Sequence, residues 1–144
     1  PLAAFVGLFN QYKGKNMQTI TMPAGQGTPE IVLDFQNKAF SFKGESYPED
    51  VDSFYTKILD TMKGFVTNLQ GETVKVIMHL VYFNSASTKV FHNMFAMLEN
   101  AVDNNGIATE VDWLYHEEDD MSLEFVEGFR EDFETIRFNL ISHS

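Results

Sequence analysis

No cysteine occurs in the 144 residues. That excludes a disulfide framework, thiolate metal ligation and thiol catalysis together, and it agrees with a reducing compartment. Basic charge is scarce: ten Lys and Arg stand against 21 Asp and Glu, for a formal charge of −11. A nucleic acid would be repelled by that field, so none is expected as a partner. Long apolar runs are missing too, none approaching the roughly 20 residues that cross a bilayer. The opening Leu2-Ala3-Ala4-Phe5-Val6-Gly7-Leu8-Phe9 has the length of a signal-peptide core. It lacks a preceding positive charge and a following cleavage site, so a cytoplasmic location is expected and no membrane role. There is no HExxH, GxSxG or Walker-type loop, no internal repeat and no linker.

What remains is ordinary for one folded domain. Hydrophobic residues make up 44% and aromatics 14%, with Phe contributing 14 residues, enough for a substantial core. Residues 1–18 match nothing in the pattern that follows and are expected to be an N-terminal extension. Its Leu2, Phe5, Val6, Leu8 and Phe9 would pack on the domain or on a neighbouring chain. Residues 19–144 are expected to hold the domain.

The loop cluster Pro23–Pro29 precedes the first clear strand. Ile31, Leu33 and Phe35 alternate with Val32 and Asp34; after Gln36-Asn37-Lys38, Phe40 and Phe42 alternate with Ser41 and Lys43. This predicts a β-hairpin. Ser46-Tyr47-Pro48-Glu49 reads as a capping box opening a helix, with Val51, Phe54, Tyr55, Ile58, Met62, Phe65 and Val66 on one stripe.

Thr73–Phe83 reads as a strand with Val74, Val76, Met78, Leu80 and Tyr82 on one face. The other face starts polar at Lys75 and ends apolar at Val81 and Phe83, which predicts a central strand in a sheet covered by helices. A second helix should bury Phe91, Met94, Phe95, Leu98 and Val102 and stop at Asn104-Asn105-Gly106. Val111, Trp113 and Tyr115 mark a strand, Val126, Phe129 and Phe133 a third helix, and Ile136, Phe138 and Leu140 the last strand. The predicted order is ββαβαβαβ: one α/β domain with a mixed, largely parallel sheet.

The junction Leu80-Val81-Tyr82-Phe83-Asn84-Ser85-Ala86-Ser87-Thr88-Lys89 is the candidate functional stretch. Sites in open α/β sheets gather where a strand ends and a helix begins. Free amides and the positive helix end stabilise a phosphate there. Ser85 or Ser87 could equally be a plain helix cap. The acidic run Glu117–Asp120 reads as a solvated helix start or, less simply, a magnesium site. His79, His92, His116 and His143 form no recognisable metal or catalytic motif, and no metal or cofactor is expected.

Gly44-Glu45-Ser46-Tyr47-Pro48-Glu49, Tyr82-Phe83-Asn84-Ser85-Ala86-Ser87-Thr88-Lys89 and Trp113-Leu114-Tyr115 with its acidic follow-on resemble the SiaC family. These are bacterial biofilm-regulation phosphoproteins of STAS-like shape, related to anti-sigma-factor antagonists. The resemblance runs from Thr28 to Leu140. It implies a non-enzymatic partner switch. In that family a serine/threonine kinase modifies a hydroxyl at this junction and a PP2C-type phosphatase removes the phosphate. The unmodified form engages a diguanylate cyclase and stimulates cyclic di-GMP synthesis. The family pattern Asn-Thr-Ser-Ser places the modified residue after the Asn, which here is Ser85, with Ser87 and Thr88 as nearby competitors. Asn84, Ser85, Lys89 and Asn93 would then form the partner-binding surface. A small-molecule-binding STAS-like domain and an enzyme with an unrecognised site are the alternative readings.

Overall fold

A computed structural model of the protein describes residues 18–144; the expected packing of Leu2, Phe5, Val6, Leu8 and Phe9 lies outside them. The elements are β1 (Ile20–Met22), β2 (Glu30–Asp34), β3 (Ala39–Ser46), α1 (Val51–Val66), β4 (Thr73–Phe83), α2 (Ser85–Asn105), β5 (Ala108–His116), α3 (Asp120–Asp132) and β6 (Ile136–His143). The six strands lie in one sheet in chain order. The pairs β1–β2 and β2–β3 are antiparallel, and the three later pairs are parallel.

The expected α/β order therefore holds from the hairpin onward, with one strand added in front. Pattern in the sequence does not reveal β1. At three residues it is too short to show a period, and it is held by pairing Ile20, Thr21 and Met22 with Leu33, Val32 and Ile31. The Pro23–Pro29 cluster is thus the connection between two strands. Within it Gly27 has φ 74° and the place of its missing Cβ lies 2.9 Å from the Tyr47 carbonyl oxygen, while the Tyr47 amide donates to Gly27 O at 2.8 Å. Only glycine suits both the dihedral and that close approach.

The sheet advances in one direction, and every parallel connection passes through a helix. Right-handed crossovers then put the three described helices on the same face. The burial pattern agrees. Ile31, Leu33, Phe40, Phe42, Val74, Val76, Met78, Val111, Trp113, Ile136 and Phe138 point inward and form one cluster with the helices' buried residues. Ser41, Lys75, Ile77, His79, Asp112 and Asn139 on the opposite face are only half-buried. Across that face Lys75 Nζ lies 3.1 Å from Asp112, whose other side-chain oxygen accepts from Asn139 at 2.9 Å. Among the described residues the helices therefore cover one face of the sheet.

The doubly apolar end of β4 has a different cause. β4 is central, as expected, but its pairing with β3 slips between Gly44 and Glu45: Gly44 pairs with Leu80 and Glu45 with Tyr82. Gly44 stands at φ 119° beside the slip. Val81 is the extra residue of this bulge, so the side-chain alternation flips after it. Val81 and Tyr82 turn outward while Phe83 turns toward the core.

The capping box at Ser46 and Glu49 does not form. Ser46 is instead the last residue of β3 and fully buried. α1 is capped by Asp50, whose carboxylate accepts from the Ser53 amide at 3.1 Å and the Ser53 hydroxyl at 2.7 Å. These bonds hold the Asp50 pKa below its usual 3.8. Its stabilising effect is present above that pH and is lost as the pH falls through the depressed folded value. Asp50→Ala should lower the midpoint of thermal unfolding by roughly 2–5 °C, on the scale of a lost cap. Glu49→Ala should leave it unchanged; a larger shift for Glu49 than for Asp50 would restore the box.

Candidate functional site

Each helix begins with the same local device, a side-chain oxygen accepting the amide three residues on: Asp50 to Ser53, Asn84 to Ser87, Asp119 to Ser122. The acidic run is accordingly the start of α3, with Asp119 accepting from the Ser122 amide at 3.0 Å and hydroxyl at 2.6 Å. The helix at the candidate junction differs in charge. Its cap is a neutral amide and its first turn holds no acid, whereas α1 has Asp50 and Asp52 and α3 has Asp119 and Asp120. The N-terminus of α2 is thus the only helix start among the described residues whose positive end faces no carboxylate of its own.

The structure separates the three hydroxyls at this junction. Ser85 is the first residue of α2 and exposed. Ser87 is fully buried; its amide is committed to Asn84 Oδ1 at 2.9 Å and its hydroxyl donates to Ser46 O at 2.9 Å. Thr88 is half-buried, and its hydroxyl donates back to Asn84 O at 3.0 Å. Neither Ser85 nor Ser87 is the cap; Asn84 is, half-buried in extended geometry with φ −89° and ψ 177°. Lys89 and Asn93 are exposed at four-residue steps from Ser85, so all three share the outward side of α2.

What holds the junction still is aromatic packing beneath it. Phe83 sits one residue before the cap, with ring centroids 5.9 Å from Phe91, 5.8 Å from Trp113 and 5.4 Å from Phe125. Around the junction the surface is unusually apolar. Among the described residues the exposed large hydrophobics are Tyr47, Val81, Tyr82, Met121, Phe125 and Ile141: Tyr47 follows β3, Val81 and Tyr82 end β4, Ile141 lies near the end of β6, and Met121 and Phe125 stand on α3. Tyr47 and Tyr82 pack edge to face at 5.9 Å. Met121 and Phe125 line a groove of about 460 Å³ between α2 and α3 that reaches Thr88, one turn from Ser85. Exposed apolar side chains on so acidic a chain are of the kind that protein contacts use.

Sequence reasoning does not find this rim as a whole. Met121 and Phe125 are four apart and off the Val126–Phe129 stripe, which is a usable signal. Tyr82 carries none, because strict alternation puts it inside until the bulge turns it out.

Three of the four histidines lie away from this groove. His79, His116 and His143 gather on the open face, with ring centroids 5.1 Å (His79–His143) and 5.8 Å (His116–His143) apart. Partial burial, then His143 and Lys43, hold the His79 pKa below its usual value. His92 lines the groove, packs tilted against Phe133 at 4.7 Å and lies 3.5 Å from Asp132.

Comparison with known proteins gives one consistent picture. The chain is similar to a crystal structure of apo-SiaC from Pseudomonas aeruginosa, with 26% identity and a TM-score of 0.76 over 87% of this chain and 99% of that one. It is also similar to the crystal structure of diguanylate cyclase SiaD in complex with its activator SiaC from the same organism. There the identity is 27% and the TM-score 0.79, over 86% of this chain and 99% of the matched one. An uncharacterized protein of Pseudomonas aeruginosa strain UCBPP-PA14 is 29% identical over 116 residues, covering 81% of this chain and 90% of that protein. The family of SiaC regulatory phosphoproteins matches residues 22–143, nearly the whole of the described fold, and the chain belongs to that family.

Proposed function

We propose that this protein is a non-enzymatic partner switch in which the Ser85 hydroxyl carries the regulatory phosphate. The observation that carries the reading is the α2 N-terminus, where an exposed serine stands on a helix start free of its own carboxylates. A phosphate there adds about −1.5 to −2 charges and meets only the favourable end of the dipole. The burial of Ser87 and the back-bonding of Thr88 favour Ser85 over both competitors. A serine/threonine kinase would add the phosphate and a PP2C-type phosphatase would remove it.

The unmodified form binds and activates a diguanylate cyclase in the cytoplasm, raising cyclic di-GMP and controlling biofilm growth and aggregation. The relative solved with SiaD supports this effector class, and the apolar rim around Ser85 supports a protein contact there. The switch occupies residues 19–144, with residues 1–18 as an extension. Asn84, Ser85, Lys89 and Asn93 form the polar part of the contact surface; Tyr47, Tyr82, Met121 and Phe125 add the apolar part. The test is reconstitution with the cognate kinase and cyclase: the unmodified protein should stimulate cyclic di-GMP synthesis, and the phosphorylated protein should not.

Lys89→Glu should weaken cyclase binding about tenfold, as reversal of a charge beside an interface does, with unfolding unchanged because the side chain is exposed. Wild-type affinity for this variant, measured by titration calorimetry, would move the contact off this side of α2.

A further inference from the structure

We propose that Ser87, two residues beyond the modified serine, is a positioning residue for phosphoryl transfer at Ser85 and not a second acceptor. The inference rests on reading Ser85 as the modified residue. It begins from three buried hydroxyls that form one chain: Tyr55 to Ser46 at 2.6 Å, Ser46 to Ser87 at 2.7 Å, and Ser87 to the Ser46 carbonyl at 2.9 Å.

Counting protons fixes its direction. Each hydroxyl has one proton, and that of Ser87 goes to the Ser46 carbonyl. Ser46 must therefore donate to Ser87, and Tyr55 must donate to Ser46. Burial pushes the Tyr55 phenol far above its usual range, so its proton is always present. Every proton in the chain is committed, and the Ser87 oxygen is fully buried, out of reach of a kinase.

The chain does not serve the helix cap. In α1 and α3 the equivalent serine hydroxyls turn back to their own caps, Ser53 to Asp50 at 2.7 Å and Ser122 to Asp119 at 2.6 Å. Ser87 turns the other way, into the core and across to β3. The Ser46 carbonyl also accepts the Asn84 amide at 3.0 Å. One backbone oxygen thus ties the first turn of α2 at two points, Asn84 and Ser87, and Ser85 lies between them. The Ser85 backbone is held on both sides while its side chain stands free in solvent.

That geometry suits a group transfer to a hydroxyl. The Ser85 oxygen bonds to the γ-phosphorus of a nucleoside triphosphate held by the kinase as the bond to the bridging β–γ oxygen breaks. The nucleoside diphosphate leaves and the serine proton passes to a base of the kinase. Ser87 and Ser46 keep their protons throughout. Their contribution is alignment, and loss of alignment lowers the rate of transfer more than the affinity for the kinase.

The experiment uses the full chain with its cognate kinase and magnesium ATP, following Ser85 occupancy by mass spectrometry. Ser87→Ala should lower kcat by about tenfold or more with KM for this protein within about twofold, and the Ala86, Thr88 and Lys89 amides should exchange faster. Tyr55→Phe also costs stability, roughly 5 °C in the unfolding midpoint. It leaves the Ser87 bond to the carbonyl in place, so its kcat should stay within about twofold of wild type. Ser87→Thr keeps the hydroxyl and should recover most of the rate. Ser87→Ala modified at the wild-type rate, Tyr55→Phe slowed as much as Ser87→Ala, or phosphate found on Ser87 itself would each overturn the positioning role. Absence of phosphate from Ser85 in the wild-type protein would instead remove the switch on which that role depends.

Discussion

Ser85→Ala is expected to accept no phosphate and to bind the cyclase within about twofold of the unmodified wild type. The substitution removes the acceptor oxygen from an exposed side chain and touches neither the cap nor the buried hydroxyls. Ser87→Ala, by contrast, would break the buried hydroxyl chain while leaving the cap bond of the Ser87 amide in place. Because Asn84 caps the helix, Ser85→Ala should leave the unfolding midpoint unchanged, where a true cap would lose about 1 kcal/mol. Phosphorylation of the wild type is expected to weaken cyclase binding more than a hundredfold, or roughly 3 kcal/mol. The phosphate would add bulk and charge to the proposed contact surface, which in the unmodified protein presents a small neutral group. Ser85→Asp should separate two effects of opposite sign. A carboxylate in the first turn of α2 favours the helix by about 0.3–1 kcal/mol, yet the same charge should weaken binding. Intact-mass analysis after kinase treatment, calorimetric titration with the cyclase and thermal unfolding read these quantities separately. Full phosphorylation of Ser85→Ala, with the phosphate mapped to Thr88, would show that the acceptor is misplaced by one helical turn.

The largest stability effect is expected at Trp113. Its side chain is fully buried and packs at 5.8 Å against both Phe83 and Phe129, joining β4, β5 and α3 under the junction. Trp113→Ala should cost about 3–5 kcal/mol, a large share of the roughly 5–15 kcal/mol that domains possess. Urea unfolding should show a lower midpoint at an unchanged slope. Trp113→Phe should cost much less, for a reason beyond size: the Trp113 indole nitrogen is buried with no hydrogen-bond partner. Phenylalanine removes that unpaired donor, offsetting part of the lost contact area. Since Phe83 leads directly into Asn84 and Ser85, Trp113→Ala should also slow phosphorylation even where the protein remains folded. A cost below about 1 kcal/mol would mean that the Phe83–Trp113–Phe129 stack does not support the junction.

The strand-to-helix junction is legible in the amino-acid sequence, since an apolar run ending in Asn-Ser-Ala-Ser must stop pairing and start capping. Which of the three hydroxyls is free is not legible there. Ser85, Ser87 and Thr88 are chemically alike, and their exposure depends on how α2 rolls against β3. The helix caps mislead at two places for one shared reason. Serine is a good cap by local preference at Ser46, Ser85 and Ser87, while the capping residues are Asp50 and Asn84. The recurring Asp/Asn-x-x-Ser spacing at Asp50, Asn84 and Asp119 is the better guide. A box beginning at Ser46 satisfies the local rule and loses to tertiary demand, because β3 keeps that hydroxyl inside for Tyr55 and Ser87.

Local pattern alone determined the three described helices, the hairpin and the strands that follow it in chain order, because period depends on neighbours in the chain. It also marked the junction where the family resemblance places the modified residue. Only the tertiary structure decided the placing of the described helices on one face of the sheet, the bulge that turns Tyr82 outward, the apolar rim and the burial of Ser87. These depend on contacts between residues far apart in sequence, such as Ser46 with Ser87 and Gly44 with Leu80. A pairing slip of one residue reverses which face a side chain meets, and no local pattern records where that slip occurs.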